Sequence, residues 1–232
     1  MSNRWLNALR RLWPSRSIPP QGPEGIAILG HRRYVGGRWD EIGQLQFDFL
    51  VERGLTPRSV LLYVACGALR LGTRAIPYLE PGHYLAVEKE EGLVRAGLEK
   101  ELGPHIANEK RPEIVISSEF EFDRLSRRAD VAIAQSLFTH LPPDRIRLCL
   151  RRLRPAIAAG GRVYATFFES DRPVDNPVDP HDHHCFRYTR AEMIAFGTDT
   201  GFTANYLGGW NHPRGQIMVE YRPAAIDTAG HG

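Results

Sequence analysis

The sequence predicts an α/β chain built on a doubly wound, mostly parallel sheet. Apolar runs of strand length recur at residues 60–65, 84–88, 113–117, 131–135 and 163–168, and such runs between turn residues read as strands buried on both faces. Segments of helical periodicity alternate with them, the signature of strand–helix–strand units. The first run breaks at the turn Cys66-Gly67-Ala68-Leu69-Arg70-Leu71-Gly72, and the second ends in a carboxylate, Glu88, 21 positions after Gly67.

Along the chain, residues 1–23 stand apart as a basic amphipathic segment and linker, followed by a domain over 24–222 and a tail over 223–232. Residues 1–17 hold Arg4, Arg10, Arg11 and Arg16 and no acid, with Trp5, Leu6, Leu9, Leu12 and Trp13 on one helical face. There is no uninterrupted apolar stretch of the signal-peptide kind. A short helix needs tertiary packing to persist, so the segment is read as packing on its own domain or on a sister subunit of a homodimer, with a membrane surface as the alternative. Pro19, Pro20, Gly22 and Pro23 make 17–23 a linker. Trp39, Ile42, Leu45 and Phe49 form an apolar stripe at helical spacing, with Gly54 as its stop. In 144–153, Ile146, Leu148, Leu150 and Leu153 alternate with arginines, predicting a helix with a basic outer face, and Gly160-Gly161 should turn the chain into the fifth strand. Thr189 and Glu192 have capping-box spacing, opening a helix that Gly201 stops. Residues 202–207 and 216–221 read as a final antiparallel pair.

Composition narrows the class. A net charge of +3 with 25% charged residues demands no large nucleic-acid footprint. Cys66, Cys149 and Cys185 are odd in number and match no disulfide framework, which points to a reducing cytoplasm. No apolar run approaches the roughly 18 residues that a membrane span requires.

The turn at Gly67 and the acid at Glu88 carry chemistry. Close backbone approach at a strand's carboxyl end, with an acid placed to accept from two ribose hydroxyls, is how doubly wound sheets hold a nucleoside. A nicotinamide-binding turn needs a second glycine where this chain has Leu69. The triphosphate loop needs lysine where it has Thr73.

Four motifs add a resemblance: Val64-Ala65-Cys66-Gly67-Ala68-Leu69-Arg70-Leu71-Gly72, Val87-Glu88, Ala134-Gln135-Ser136-Leu137-Phe138-Thr139-His140-Leu141-Pro142, and Leu153-Arg154-Pro155 running to Gly160-Gly161-Arg162. In order and spacing they resemble the bacterial class I, Rossmann-like S-adenosylmethionine-dependent methyltransferases, from about Tyr34 to Tyr221. The resemblance implies a seven-stranded sheet whose last strand inserts antiparallel beside the sixth. It implies S-adenosyl-L-methionine as cofactor and methyl transfer to a small molecule or biosynthetic intermediate. Ala65, Cys66, Gly67 and Gly72 would form the cofactor's turn, and Glu88 would take the ribose with Lys89 beside it. Glu119 and Phe120 would meet adenine, Gln135 and Ser136 the methionine end, and Tyr34 would close over the cofactor. His140 and His212 are the candidate proton acceptors, and Arg187, Tyr188 and Arg214 the acceptor-binding candidates.

Two positions depart from the family's pattern. Tyr63 stands where an acid usually holds the cofactor's amino group, and Ala65 where glycine is usual. A charge-assisted hydrogen bond is worth roughly 1.5–3 kcal/mol, so its loss weakens binding about ten- to a hundredfold. This motivates an alternative, a catalytically degenerate cofactor-binding protein with the same fold. The cluster His181-Asp182-His183-His184-Cys185 holds metal-ligand residue types crowded into one loop, whereas structural zinc sites draw on separated pairs. It is read as a cover over the acceptor pocket, with no metal expected. Base methyltransferases of nucleic acids usually carry Asn/Asp-Pro-Pro-aromatic after the fourth strand, where this chain has Gln135-Ser136-Leu137-Phe138; a nucleic-acid partner is disfavoured.

Overall fold

A computed structural model of the protein describes residues 18–225. The amphipathic helix expected in 1–17 and the end of the tail, 226–232, lie outside the described residues. Helices α1 (Gly22–Leu29), α2 (His31–Tyr34) and α3 (Trp39–Glu52) precede the sheet. Strands β1 (Leu61–Val64), β2 (Tyr84–Glu88) and β3 (Glu113–Ile116) then alternate with α4 (Gly72–Tyr78), α5 (Glu91–Ala96) and α6 (Pro104–Lys110). The second half runs β4 (Ala129–Ala134), α7 (Pro143–Leu153), β5 (Ile157–Glu169), β6 (Arg187–Tyr188), α8 (Arg190–Thr198), β7 (Phe202–Gly209) and β8 (Ile217–Pro223).

The strand order is β3-β2-β1-β4-β5-β8-β7, with the two-residue β6 beside the end of β5. Strands β1 to β5 pair in parallel, and β8 lies antiparallel between β5 and β7. The main path thus has the expected strands, and its antiparallel member sits one place in from the edge. From β1 the chain winds outward to β3 and returns to β4. That reversal leaves a crevice at the carboxyl ends of β1 and β4, where open α/β sheets bind ligands.

Both faces of the central strands are covered, which is why their sequences are continuously apolar. Leu62 and Val64 of β1 point into a core with Ile146, Leu150 and Phe196, whereas Leu61 and Tyr63 point into one with Phe49, Leu50 and Ile76. On α7 the buried stripe is Ile146, Cys149, Leu150 and Leu153, with Leu148 only half-buried. A helix repeats every 3.6 residues, so it buries the fourth and not the second residue after Ile146. Pro143 opens this helix at its first position, where a missing N–H costs nothing. The fifth strand starts earlier than its apolar run suggests. Gly160 and Gly161 lie within β5, Gly160 has φ +77°, and the pairing with β4 slips a register there; the glycines form a bulge in place of a turn.

Two expectations need revision before the first strand. Residues 22 and 23 open α1 instead of ending a linker, with Pro23 in the first turn. The apolar stripe of α3 is interrupted by Gln46, which is fully buried between Ile42 and Leu50. Among the described residues, no helix is long and apolar enough to cross a membrane.

The capping box of α8 forms as expected: the Glu192 N–H donates to Thr189 Oγ1 at 3.1 Å and the Thr189 N–H to Glu192 Oε2 at 2.7 Å. Replacing Thr189 by alanine leaves a helix N–H unsatisfied and should cost about 1 kcal/mol. Thermal denaturation should then show the midpoint lowered by roughly 2–4 °C for a domain of this size.

Candidate functional site

A cavity of about 660 Å³ opens at the carboxyl ends of the central strands, within the roughly 300–1,000 Å³ usual for small-molecule sites. The turn after β1 forms its base. Ala65, Gly67 and Leu69 all take left-handed backbone conformations, with φ of 59°, 56° and 65°. For alanine and leucine this costs roughly 1–2 kcal/mol each. At Gly67 a side chain is excluded twice, by φ and because a Cβ would lie 2.9 Å from Val35 Cγ1. Ala65, Cys66 and Gly67 line the cavity. Gly72 does not; it starts α4, and its bare Cα lets Leu69 pack within 2.9 Å of where a Cβ would be.

Glu88 is 5% exposed and still reaches the cavity. Its Oε2 accepts from the Gly67 N–H at 2.7 Å, and its Oε1 from the N–H groups of Lys89 and Glu90 at 2.9 and 3.0 Å. Burial raises its pKa above the ordinary carboxylate value, while these backbone bonds and Lys89 pull it back. About four acceptor positions are available on a carboxylate, so three backbone donors orient it and leave capacity for a hydroxyl. Phe120, φ 58° and buried, lines the same region; Phe122 stacks on it at 6.2 Å in the core they share and does not line the cavity. Glu119 lies outside the lining. It is exposed and paired at 3.0 Å with Arg145, which also spans the Phe120 ring.

A buried polar network closes the other end. Gln135 Oε1 accepts from Gln46 Nε2 at 2.5 Å and from Arg70 Nη2 at 2.9 Å. Its amide nitrogen donates to Ser136 Oγ at 2.6 Å and to Gln216 Oε1 at 3.1 Å. Ser136, φ 58°, donates its N–H to Thr166 Oγ1 at 2.8 Å and caps no helix. Tyr63 accepts from Gln46 Nε2 at 3.1 Å, and burial raises its pKa, so it stays a neutral phenol. Tyr63 lines the cavity without filling it.

A cover comes from two directions. The Tyr34 hydroxyl donates to Asp182 Oδ2, Lys89 Nζ donates to Asp182 Oδ1 at 2.5 Å, and the Asp182 N–H donates to Gln21 Oε1 at 2.9 Å. Burial opposes the charge on Asp182, but Lys89 and Tyr34 outweigh it and hold the pKa below the ordinary value. His183 meets the Tyr34 ring edge-on and the Pro20 carbonyl at 3.1 Å, while His181 and His184 stack on each other at 3.7 Å. Among the described residues, no group of three or more His, Cys, Asp or Glu converges as a metal site would.

His140 lines the cavity. Its Nδ1 lies 2.7 Å from the carbonyl oxygen of His184 and 3.1 Å from that of His181. Both partners are acceptors, so Nδ1 carries the proton and Nε2 keeps its lone pair. Burial lowers the pKa against these two carbonyls. His212 is placed differently. It is buried behind the lining, stacked on Trp210, with Nε2 3.2 Å from Gln135 Nε2, and burial followed by Arg70 and Arg214 pushes its pKa down to about 4. Arg214 lines the cavity, but Arg187 and Tyr188 do not. Arg187 lies over Phe168 on the exposed side, and the Tyr188 hydroxyl is used by the Leu141 carbonyl at 2.5 Å. Sequence reasoning gave no role to Arg70, Gln46 or Gln216, although a glutamine inside an apolar helical stripe was the signal available for Gln46; the loop that holds Asp182 was read as a cover.

No known family's sequence signature matches this chain, and no curated protein matches it either. Solved structures do. A magnesium protoporphyrin IX methyltransferase, ChlM of Synechocystis PCC 6803 with S-adenosylmethionine bound, aligns with a TM-score of 0.60 at 16% identity, over 83% of this chain and 89% of that one. A putative O-methyltransferase from Nostoc punctiforme PCC 73102 gives 0.63 at 17% identity, over 94% and 67%. DhpI, complexed with S-adenosylhomocysteine, gives 0.59 at 16% identity, over 95% and 96%. This chain has the Rossmann-like methyltransferase fold. In that fold the cavity described above opens at the topological switch point of the sheet.

The His140 geometry is directly measurable. Nitrogen-15 NMR of the histidine side chains should find His140 neutral with its proton on Nδ1. Its titration midpoint should fall below the ordinary value of about 6.5, the imidazolium appearing only on further acidification.

Proposed function

We propose that this chain binds S-adenosyl-L-methionine and transfers its methyl group to a small-molecule acceptor. The observation that carries the reading is Glu88, a buried carboxylate oriented by three backbone N–H groups, one of them from the Gly67 turn. A nucleoside is the ligand such a pair suits, because ribose hydroxyls can donate to the carboxylate while the bare turn admits the sugar. Phe120 offers an apolar face for adenine, and Gln135 and Ser136 face the amino-acid end. The similar solved structures that hold S-adenosylmethionine or S-adenosylhomocysteine support the same cofactor.

When bound, the cofactor supplies an electrophilic methyl on a sulfonium, so the protein's task is alignment and exclusion of water. The contacts of Tyr34 and Lys89 with Asp182 suit a cover that would serve that exclusion. His140 offers an unprotonated Nε2 at neutral pH, suited to receive a proton from a hydroxyl or amine acceptor. Tyr63 cannot replace the usual acid, since its phenol stays neutral. The amino group is left with the neutral acceptors around Gln135, which favours weaker cofactor binding. The degenerate reading draws on that same residue.

Isothermal titration with S-adenosylmethionine and S-adenosylhomocysteine tests the reading. Both should bind, and Glu88→Ala should weaken them at least about tenfold. Binding of neither at millimolar concentration overturns the proposal. The ionised carboxylate is the form that accepts from ribose, and its pKa is raised. Affinity should therefore hold at neutral pH and fall on acidification with a midpoint above the ordinary glutamate value of about 4.3. Glu88→Gln should flatten that pH dependence.

A further inference from the structure

Arg70 is buried in the cavity wall, and no carboxylate pairs with it among the described residues. Its Nη1 donates to the Gly37 carbonyl at 2.9 Å and the Val35 carbonyl at 3.3 Å, and its Nη2 to Gln135. Its Nε is buried with no partner. Neutral oxygens orient a guanidinium without cancelling its charge, and buried charges in proteins are normally paired. Arg214 reaches the same end from the β7–β8 loop, donates to the Gly36 carbonyl, and likewise lacks a carboxylate partner among the described residues. It fits there because Gly36 has no Cβ, which would lie 2.8 Å from Nη1. Three consecutive carbonyls, 35 to 37, thus hold two like charges near each other; burial lowers the Arg70 pKa and the Arg214 charge adds to it.

Of the other charged residues in the lining, Arg33 is solvent-exposed and Glu90 lies 3.9 Å from Lys89. Glu88 is held by three N–H groups, Asp182 by Lys89, and Arg145 by Glu119. Arg70 and Arg214 are the two guanidiniums that converge on carbonyls 35–37, and their planar donor sets suit a carboxylate or phosphate. We infer that Arg70 and Arg214 form an oxyanion seat on the 35–37 side of the cavity, beside the place proposed for the cofactor's amino-acid tail, and that the methyl acceptor is an acidic small molecule. The inference rests on the proposed function only for the word acceptor. The amino-acid tail of S-adenosylmethionine also carries a carboxylate, but it brings an ammonium and a sulfonium with it, so it does not neutralise the pair. An acidic acceptor does.

The test titrates benzoate and inorganic phosphate, at low ionic strength, into the protein saturated with S-adenosylhomocysteine. The same titrations are made with Arg70→Gln and with Arg214→Gln, the latter a solvent-exposed side chain, and the thermal midpoint of each variant is measured alongside. At least one anion should bind, and each substitution should weaken it about tenfold or more while nucleoside affinity changes less than about twofold. Methylthioadenosine, which lacks the amino-acid tail, identifies the other source of the anion. If Arg70→Gln weakens S-adenosylhomocysteine but not methylthioadenosine, the seat stands, its occupant is the cofactor's carboxylate, and the acidic-acceptor assignment is overturned. If neither anion binds and neither substitution moves S-adenosylhomocysteine, the seat is overturned and Arg70 is a structural clamp. Failure of the unsubstituted protein to bind methylthioadenosine would strike the Glu88 reading alone, and the anion titrations, repeated without nucleoside, would still decide the seat.

Discussion

The bond from the Gly67 N–H to the Glu88 carboxylate ties the end of β1 to the end of β2, and the shape of the cavity depends on it. The turn it anchors is unfavourable by itself, since Ala65 and Leu69 both sit in the left-handed region. Their combined strain, about 2–4 kcal/mol, is opposed by the turn's own bond from the Gly67 N–H to a charged acceptor, while the Lys89 and Glu90 N–H groups orient that acceptor from the other side. Burial of the carboxylate outweighs those bonds in its effect on the charged form, so the pKa is raised. Leu69 helps because its side chain is completely buried, so the strained backbone also places a core residue. One acid therefore serves both as a clamp on the turn and as an acceptor toward the cavity.

A second constraint acts across the cavity mouth. Asp182 gathers the Tyr34 hydroxyl, the Lys89 ammonium and, through its N–H, the Gln21 side chain. These groups come from the segment before α1, from α2, from the end of β2 and from the loop after β5. Lys89 adjoins Glu88, so the cover is fastened beside the clamp on the turn. The histidines of that loop take structural positions consistent with this: His183 against Tyr34, His181 and His184 against each other, and their carbonyls on His140. The loop thereby also sets the tautomer of His140.

What could be read from the sequence followed range of interaction. The central strands announce themselves because burial on both faces leaves nothing but apolar residues, and the Thr189–Glu192 cap is visible because it closes over four residues. Glu88 and Gly67 were legible because strand, turn and acid stand in fixed local order. Helices α1 and α2 were not, since their short, weakly patterned segments are held by contacts with Asp182 and Glu101, far along the chain. Glu119 and Phe120 are neighbours in sequence, but a left-handed φ at Phe120 sends the ring inward and leaves the carboxylate outside with Arg145. Tyr188 looked like a phenol offered to a ligand, yet its strand position turns it into the core.

The departure at Tyr63 and the free charge at Arg70 are two sides of one arrangement. The two side chains meet in the cavity wall, with Gln46 bonded to the phenol. An acid at position 63 would lie against Arg70 and neutralise it, closing this end of the cavity electrostatically. A phenol whose pKa burial has raised cannot do so. On the proposed reading, a phenol at 63 in place of an acid gives up a grip on the cofactor's amino group and leaves the adjacent guanidinium unneutralised, and both effects run toward positive potential. Gln135 and Gln216 bridge that region with amides, which accept and donate without restoring negative charge. On the proposed reading, the cavity presents a carboxylate to the sugar at one end and two guanidiniums at the other.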